Sequence, residues 1–210
     1  MVNEANSRKG GMKMNQNTKI GCVVMAAGNA SRFRANKLLM DYQGKPLIVH
    51  ALDAADCSCL DRVVVVTQYP QIEAMALARG YACRINHQPD LGASVTIRLG
   101  TEALQDCDGI LYLVADQPRL TADTVCRIVA AWQAAPECII APVSDGCTGN
   151  PCIFPRSLFG ELMALEADAG GKKVIRRHPE LLRTVTVEAS QLFDCDTPQA
   201  LEELRRRSDG

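Results

Sequence analysis

The sequence has few aromatic residues and almost no net charge. Phe, Trp and Tyr together make up 4% of the 210 residues, and the formal charge at pH 7 is -1. Single-stranded nucleic acid is held by basic grooves interleaved with aromatic rings, and this composition does not supply them. A chain without a strong overall field is also not drawn to nucleic acid or to an anionic membrane surface. We therefore expect neither a nucleic-acid partner nor a membrane partner.

Long apolar runs, secretion signals and zinc-type cysteine spacings are also missing. No run approaches the roughly 20 apolar residues that cross a bilayer, and no segment has the pattern of a signal peptide. The ten cysteines are scattered, and the closest pair, Cys57 and Cys59, lacks the CxxC spacing of zinc ribbons and redox motifs. Cys126 and Cys138 lie in apolar runs, where cysteine acts as a small hydrophobe. We expect a cytoplasmic protein whose cysteines have packing roles.

Beyond Lys19, short apolar runs alternate with helical patterns. Residues 1–19 are polar and lack periodicity, so they are predicted to form a disordered leader, with residues 20–210 as one domain. The predicted strands are Ile20–Ala26, Arg62–Thr67, Tyr81–Asn86, Gly109–Val114, Cys138–Pro142, Cys152–Phe154 and Arg183–Glu188. The predicted helices are Leu47–Ala55, Gln71–Arg79, Ser94–Leu104, Thr121–Ala134, Pro155–Leu165 and Thr197–Arg206. This alternation predicts a single-domain α/β fold of three Rossmann-like layers with a mostly parallel sheet.

The segment AGNASRFRANK, residues 27–37, follows the first predicted strand. Its small residues allow backbone amides to approach a ligand, and the cations Arg32 and Lys37 come next, which is the chemistry that a triphosphate needs. A tight structural connection is the alternative. The segment is neither a P-loop nor the GxGxxG of dinucleotide-binding proteins. With no acidic residue ending the second strand, a nicotinamide-dependent oxidoreductase is disfavoured.

Acidic residues follow the fourth predicted strand and precede the last predicted helix. Asp116 comes directly after the apolar run GILYLV, and Asp194 and Asp196 precede Thr197 and Pro198. Magnesium prefers one or two carboxylates together with phosphate oxygens and water, so these side chains are candidate ligands. Helix capping or a structural turn is the alternative for each of them.

The order of AAG, SRF, KLL and GKPL resembles the signature of the nucleotidyltransferases that complete molybdenum cofactors, and in particular the molybdenum cofactor cytidylyltransferases. The chain departs from the usual AAGxGxRFGxxKLL at Ala30 and Arg34. The resemblance implies a nucleotidyltransferase-type fold, a magnesium cofactor and an NTP substrate. In this family the AAG form goes with cytosine rather than guanine nucleotides, so the implied nucleotide is CTP.

The resemblance also implies site residues. A stretch NHQPDLGASVTIRLG is similar to one that contributes to the nucleotide pocket, although local sequence alone allows Ser94 to be an ordinary helix cap. The implied nucleotide-binding residues are Ala26, Ala27, Gly28, Ser31, Arg32, Lys37, Asn86, Gly92 and Ser94. The implied metal ligands are Asp116 and Asp196, with Asp194 as second choice, and the implied catalytic residues are Arg32, Lys37 and Asp116.

The acceptor side is implied by a GNP loop and a glycine pair before a basic segment. A basic run on a helix is by default a solvated face, whereas in the family these segments lie beside the anionic pterin. The implied acceptor-binding residues are Gly149, Asn150, Pro151, Gly170, Gly171 and Arg176.

Together these features predict Mg-dependent transfer of CMP from CTP to molybdopterin, giving molybdopterin cytosine dinucleotide and pyrophosphate. A phosphate nucleophile is already ionised, which agrees with the lack of a Ser-His-Asp or Cys-His arrangement. The alternatives are a guanylyl or sugar-phosphate nucleotidyltransferase on the same fold, and a non-catalytic molybdopterin carrier or insertion chaperone. A transient contact with a molybdenum hydroxylase or its chaperone is a further expectation.

Overall fold

The computed structural model describes residues 18–29 and 36–206. The strands in these residues are β1 Ile20–Ala26, β2 Asp41–Tyr42, β3 Lys45–Pro46, β4 Arg62–Thr67, β5 Ala82–Ile85, β6 Gly109–Val114, β7 Ile139–Ser144, β8 Cys147–Thr148, β9 Cys152–Pro155 and β10 Leu182–Thr186. The α-helices are α1 Leu47–Ala54, α2 Pro70–Ala78, α3 Ala93–Ala103, α4 Ala122–Ala134, α5 Phe159–Met163, α6 Gly171–Arg177 and α7 Pro198–Arg206.

The main sheet has the strand order β10-β7-β9-β6-β1-β4-β5, and β8 pairs with β7 at the side. Strands β5, β4, β1 and β6 run parallel to one another, as do β7 and β10. Strand β9 lies antiparallel between β6 and β7. The prediction of a mostly parallel sheet is confirmed. Its clearest sequence signal is the run of four valines in β4, since β-branched side chains suit a strand that is covered on both faces.

Two apolar cores cover the two faces of this sheet. Alternate residues of β1 point to opposite sides, so that Cys22 and Val24 belong to one core and Val23 to the other. Helices α1, α2 and α4 pack on the first face, and α3, α5 and α6 on the second. The three-layer prediction is confirmed. No helix in the described part of the chain is long and apolar enough to cross a bilayer.

Some predicted elements differ from the structure. The predicted helix Pro155–Leu165 is instead the end of β9, a 3-10 turn over Arg156–Leu158 and the short helix α5. Pro155 is the last residue of β9 and pairs with Gly109 of β6, so the helical turns begin only after Pro155. Several boundaries shift by one or two residues. The two-residue strands β2, β3 and β8 were not predicted, because two residues carry no detectable alternation. The predicted leader falls largely on residues 1–17, outside the described residues, and stays a prediction.

Helix α3 packs closely on β1 at Gly100. A Cβ atom at Gly100 would lie 2.6 Å from both γ carbons of Val23, which is completely buried in the sheet. We expect Gly100→Ala to lower the free energy of unfolding by about 1–3 kcal/mol, because Val23 can yield only by moving the strand. Thermal unfolding should then show a melting temperature lower by roughly 2–10 °C.

Gly160→Ala is the matched control for this prediction. Gly160 lies in helix α5, and a Cβ atom there would meet nothing within 4 Å. Its replacement should leave the melting temperature unchanged or raise it slightly, since alanine has the higher helix propensity. Equal melting temperatures for Gly100→Ala, Gly160→Ala and the unsubstituted protein would contradict the close packing of α3 on β1.

Candidate active site

The carboxyl ends of β1 and β6 lie side by side in the middle of the sheet. Met25 pairs with Val114, and the Ala115 amide donates to the Met25 carbonyl at 3.2 Å. In the sheet, β4 lies on the outer side of β1, and β9 and then β7 lie on the outer side of β6. The strands of the sheet that follow β1 and β6 are therefore on opposite sides of this pair. Such a divergence at the carboxyl ends of parallel strands leaves a crevice, which is the common ligand site of open α/β sheets. Gly28 and Asp116 therefore stand at the same edge.

A cavity of about 960 Å³ opens at this edge. Its volume lies at the upper end of the range for small-molecule sites. Among the residues that line it are Ala27, Gly28, Asn29, Lys37, Gly92, Ser94, Thr96, Arg98, Asp116, Asp168 and Asp196. Most of the predicted nucleotide-binding and metal-ligating residues thus meet in one place, although they come from distant parts of the sequence. Ser31 and Arg32 lie outside the described residues.

Lys37 joins two carboxylates at the centre of the cavity wall. Its Nζ donates to Asp116 Oδ2 at 2.7 Å and to Asp196 Oδ1 at 3.0 Å. Lys37 begins a 3-10 turn whose Leu38 amide is capped by the Asn36 side chain. Burial disfavours the ammonium, but the two carboxylates outweigh burial and raise the pKa of Lys37. Lys37 is therefore charged at neutral pH and occupies the space between Asp116 and Asp196.

Asp194 faces a different partner. Its Oδ1 accepts from the buried Gln117 Nε2 at 2.9 Å. Burial and the charge of Asp116 raise the pKa of Asp194. The segment is fixed to the end of β6 by the Cys195 amide, which donates to the Asp116 carbonyl at 2.8 Å. Of the two late aspartates, Asp196 is therefore the one that converges with Asp116 on a single cation.

The turn after β1 is held from the side of β4. Thr67 Oγ1 donates to the Ala26 carbonyl at 3.0 Å, Gln68 Nε2 to the Ala27 carbonyl at 2.9 Å, and the Tyr69 hydroxyl to the Gly28 carbonyl at 3.2 Å. These bonds fix the carbonyls of the turn. Ala26 itself is buried and does not line the cavity, whereas Gly28 has open space where a Cβ would stand.

The residues that support this turn were missed in the sequence analysis. Gln68 also donates to Asn29 Oδ1 at 2.9 Å, and Asn29 in turn donates to Asp90 Oδ1 at 2.6 Å. The available signal was the polar pair Gln68-Tyr69 directly after the valine run, at the edge where ligands bind. Its meaning depends on the pairing of β4 with β1, which local sequence does not show.

The amino-terminal end of α3 forms the opposite wall. Gly92 is the N-cap residue with φ of 86°, and a Cβ there would lie 2.7 Å from the Ala167 carbonyl oxygen, so only glycine fits. Asp168 Oδ1 accepts from the Ala93 amide at 3.3 Å. Because Gly92 is the cap, the alternative of Ser94 as an ordinary side-chain cap is wrong, and Ser94 lies in the cavity lining instead.

Asn86 is placed behind this wall rather than on it. It is 2% exposed, donates to Thr96 Oγ1 at 3.3 Å and accepts from the Gln88 amide at 2.8 Å. Thr96, and not Asn86, lines the cavity. The structure therefore gives Asn86 a positioning contact with Thr96, and its direct contact with a nucleotide stays a prediction.

The predicted acceptor residues lie outside the lining of the cavity. Gly149 packs against Leu192, where a Cβ would lie 3.0 Å from the leucine Cδ1. A cis peptide bond joins Asn150 to Pro151. Gly170 caps α6, and Gly171 begins it. Arg176 is exposed on α6. The assignment of these residues to an acceptor stays a prediction.

Comparison with known proteins identifies the family of this chain. A profile of the MobA-like NTP transferase domain matches residues 22–182, from β1 to the start of β10. The chain belongs to the MobA-like NTP transferase family. It is therefore a nucleotidyltransferase by family, and the Rossmann-like nucleotidyltransferase fold predicted from the sequence is confirmed.

This MobA-like chain is similar to two curated proteins over most of their length. It is 27% identical to the purine catabolism protein PucB of Bacillus subtilis over 198 residues, covering 88% of this chain and 95% of PucB. It is 30% identical to the phosphoenolpyruvate guanylyltransferase of Sphaerobacter thermophilus over 161 residues, covering 75% and 76%.

Among solved structures, Rv0371c of Mycobacterium tuberculosis superposes with a TM-score of 0.78 at 24% identity, covering 90% of this chain and 98% of that one. A complex of Rv0371c with manganese superposes with a TM-score of 0.75 at 26% identity, covering 90% and 99%.

Proposed function

We propose that this protein transfers CMP from CTP to the phosphate of molybdopterin and releases pyrophosphate, with magnesium as cofactor. The observation that carries the proposal is the convergence of Gly28, Lys37, Asp116 and Asp196 on one cavity at the carboxyl ends of β1 and β6. A triphosphate needs close backbone approach, a cation and carboxylates for its metal ion, and the turn after β1, Lys37 and the two aspartates in this cavity support that assignment.

The residues present fit a hard divalent cation. Asp116 Oδ2 and Asp196 Oδ1 both lie within 3.0 Å of one positive charge, the Lys37 ammonium. Two carboxylate oxygens with phosphate oxygens and water are the ligands that Mg²⁺ prefers. The manganese complex of Rv0371c supports a divalent ion in a protein of this fold. When bound, the ion would supply charge neutralisation at the triphosphate, with Asp116 and Asp196 as its protein ligands.

Lys37 has two roles in this proposal. Without a divalent ion, its ammonium keeps Asp116 and Asp196 together and balances their charge. Asp116 and Asp196 would hold a divalent ion through the same oxygens, and Lys37 would then have to leave them. Lys37 lies in the cavity lining, so on release its ammonium can neutralise the triphosphate and the charge that develops on the leaving pyrophosphate.

The acceptor phosphate removes the need for a general base. A phosphate monoester has its second pKa near 6, so it is largely a dianion at neutral pH. One of its oxygens attacks the α-phosphorus, the bond to the β-phosphate oxygen breaks, and pyrophosphate leaves with that electron pair. The chain contributes positioning and charge: the turn after β1 and the α3 wall hold the nucleotide, and Lys37 counters negative charge.

The choice of CTP rests on the AAG form of the turn after β1. The second candidate function is guanylyl transfer, because one of the similar proteins is the phosphoenolpyruvate guanylyltransferase. The deciding experiment is a pyrophosphate-release assay with purified molybdopterin, magnesium and CTP, GTP, ATP or UTP in turn. The proposal predicts release with CTP that depends on molybdopterin. Release only with GTP would favour the second candidate, and tight molybdopterin binding without any release would favour a carrier.

A thermal-shift series tests nucleotide choice without the acceptor. At a CTP concentration of about 100 times Kd, binding should stabilise the fold by about 2.7 kcal/mol. For a chain of this length we expect the melting temperature to rise by roughly 5–10 °C with CTP and magnesium. GTP, ATP and UTP at the same concentration should give clearly smaller shifts. Equal shifts for all four nucleotides would contradict selection of the base by this site.

A further inference from the structure

A cluster of three cysteines lies on the face of the sheet that carries α1 and α4, apart from the nucleotide cavity. Cys57 and Cys59 belong to the turn between α1 and β4, and Cys126 lies on α4. The Cys59 Sγ is 3.1 Å from the Cys57 Sγ and 3.2 Å from the Cys126 Sγ. All three sulfurs lie within 4.8 Å of one another, and each residue is half-buried. We call these residues the thiol cluster.

We propose that the thiol cluster binds one thiophilic d10 cation, Zn²⁺ or Cu⁺, through three thiolates. Soft thiolate ligands select these ions. An ion about 2.3 Å from each sulfur spaces the sulfurs by about 3.8–4.0 Å. The separations of 3.1 and 3.2 Å need an opening of less than about 1 Å to reach that spacing, whereas a disulfide requires about 2.05 Å.

The surroundings allow an ion to enter. Cys57 lines an open cavity of about 520 Å³ together with Asp56, Asp61 and Arg79. Solvent therefore reaches the cluster at Cys57. On the other side, Cys57 and Cys59 pack against the apolar core around α1 and α4. A three-thiolate set leaves room for a water molecule as fourth ligand of Zn²⁺ on the cavity side, and suffices by itself for three-coordinate Cu⁺.

Packing alone does not account for this arrangement. A buried cysteine that acts as a small hydrophobe packs against carbon atoms. In the thiol cluster the Cys59 sulfur instead contacts two other sulfurs, that of Cys57 in the same turn and that of Cys126 on α4. Burial raises the pKa of the Cys57 and Cys59 thiols, so without an ion they are neutral. Binding replaces S–H bonds by S–metal bonds and releases the protons to the buffer.

Bound metal would join the α1–β4 turn to α4. Cys59 and Cys126 are 67 residues apart in sequence. The ion would therefore cross-link two segments that are distant in the chain and adjacent in the fold. A ligand that binds only the folded state raises its stability. At an ion concentration of about 100 times Kd, the melting temperature of the reduced protein should rise by roughly 5–10 °C.

The experiment is a titration of the fully reduced, anaerobic, full-length protein with Co²⁺, as a spectroscopic substitute for Zn²⁺, and separately with Cu⁺. The proposal predicts one thiolate-bound ion per chain and, for Co²⁺, an intense thiolate-to-metal charge-transfer band. Cys59→Ser and Cys126→Ser should each remove most of the band and the thermal stabilisation. Cys147→Ser changes an exposed cysteine of the β7–β8 hairpin and should leave both unchanged.

A second control separates the thiol cluster from the nucleotide cavity. Asp116→Asn removes a carboxylate of that cavity, so the charge-transfer band should persist in this variant. Circular dichroism of both cluster variants checks that they fold. Two results would overturn the proposal. One is that the unsubstituted protein shows no charge-transfer band with Co²⁺ and does not bind one Cu⁺ per chain. The other is that the folded variants Cys59→Ser and Cys126→Ser bind the ions as fully as the unsubstituted protein.

Discussion

Replacing Asp116 with asparagine is expected to lower kcat for pyrophosphate release by about 10²–10³-fold, the loss typical of removing a preorganised charge from an active site. Asp116 Oδ2 lies 2.7 Å from the Lys37 ammonium at the carboxyl end of β6, and Asp196 approaches the same charge. Asparagine keeps the size of the side chain but not its charge, so it is a poor magnesium ligand. Steady-state kinetics at saturating CTP and magnesium measures the effect.

Asp108→Asn is the matched control for this substitution. Asp108 immediately precedes β6, at the opposite end of the strand from Asp116, and forms an exposed ion pair with Arg156. Exposed ion pairs contribute little to stability, so kcat should be unchanged and the fold retained. Normal turnover in Asp116→Asn would remove this carboxylate from the mechanism, whatever the nucleotide or acceptor.

The second large effect concerns Lys37→Met, for which we expect two changes of opposite sign. Turnover should fall by about 10²-fold or more, since the cation that faces the triphosphate is lost. Nucleotide-free binding of Mn²⁺ should become tighter by about tenfold or more, because an ion no longer displaces two charge-assisted hydrogen bonds. Electron paramagnetic resonance of free Mn²⁺ measures the affinity.

Lys45→Met provides the comparison for charge alone. Lys45 pairs with Asp53 and is not among the residues that line the nucleotide cavity. The substitution removes one positive charge, as Lys37→Met does, and should change neither kcat nor Mn²⁺ affinity appreciably. Weaker Mn²⁺ binding in Lys37→Met than in Lys45→Met would show that Lys37 does not compete for the oxygens of Asp116 and Asp196.

Much of the fold was predictable from local pattern. The apolar runs that became β1, β4 and β6 are short and continuous, and a parallel strand covered on both faces produces that pattern. The position of Asp116 directly after such a run placed it at the ligand-binding edge. The prediction of a helix that begins at Pro155 was wrong, because Pro155 pairs in the sheet with Gly109, which lies 46 residues earlier in the chain.

The candidate site was only partly predictable, because its contacts join distant segments. Gln68 and Tyr69 hold the turn after β1 only because β4 pairs with β1. Asn86 carries the right residue type for a ligand contact, yet it is buried behind Thr96. Cys126 joins Cys59 through the packing of α4 beside the turn after α1, which no local spacing indicates.

In the proposed mechanism, two carboxylates from distant parts of the chain hold one divalent ion at a triphosphate. The most direct measurement is anomalous scattering from a crystal of the protein grown with CTP and manganese. We expect a manganese peak between Asp116 and Asp196, beside triphosphate oxygens, with the Lys37 ammonium displaced from both carboxylates. A manganese ion bound elsewhere, with Lys37 still between Asp116 and Asp196 beside a bound nucleotide, would contradict it.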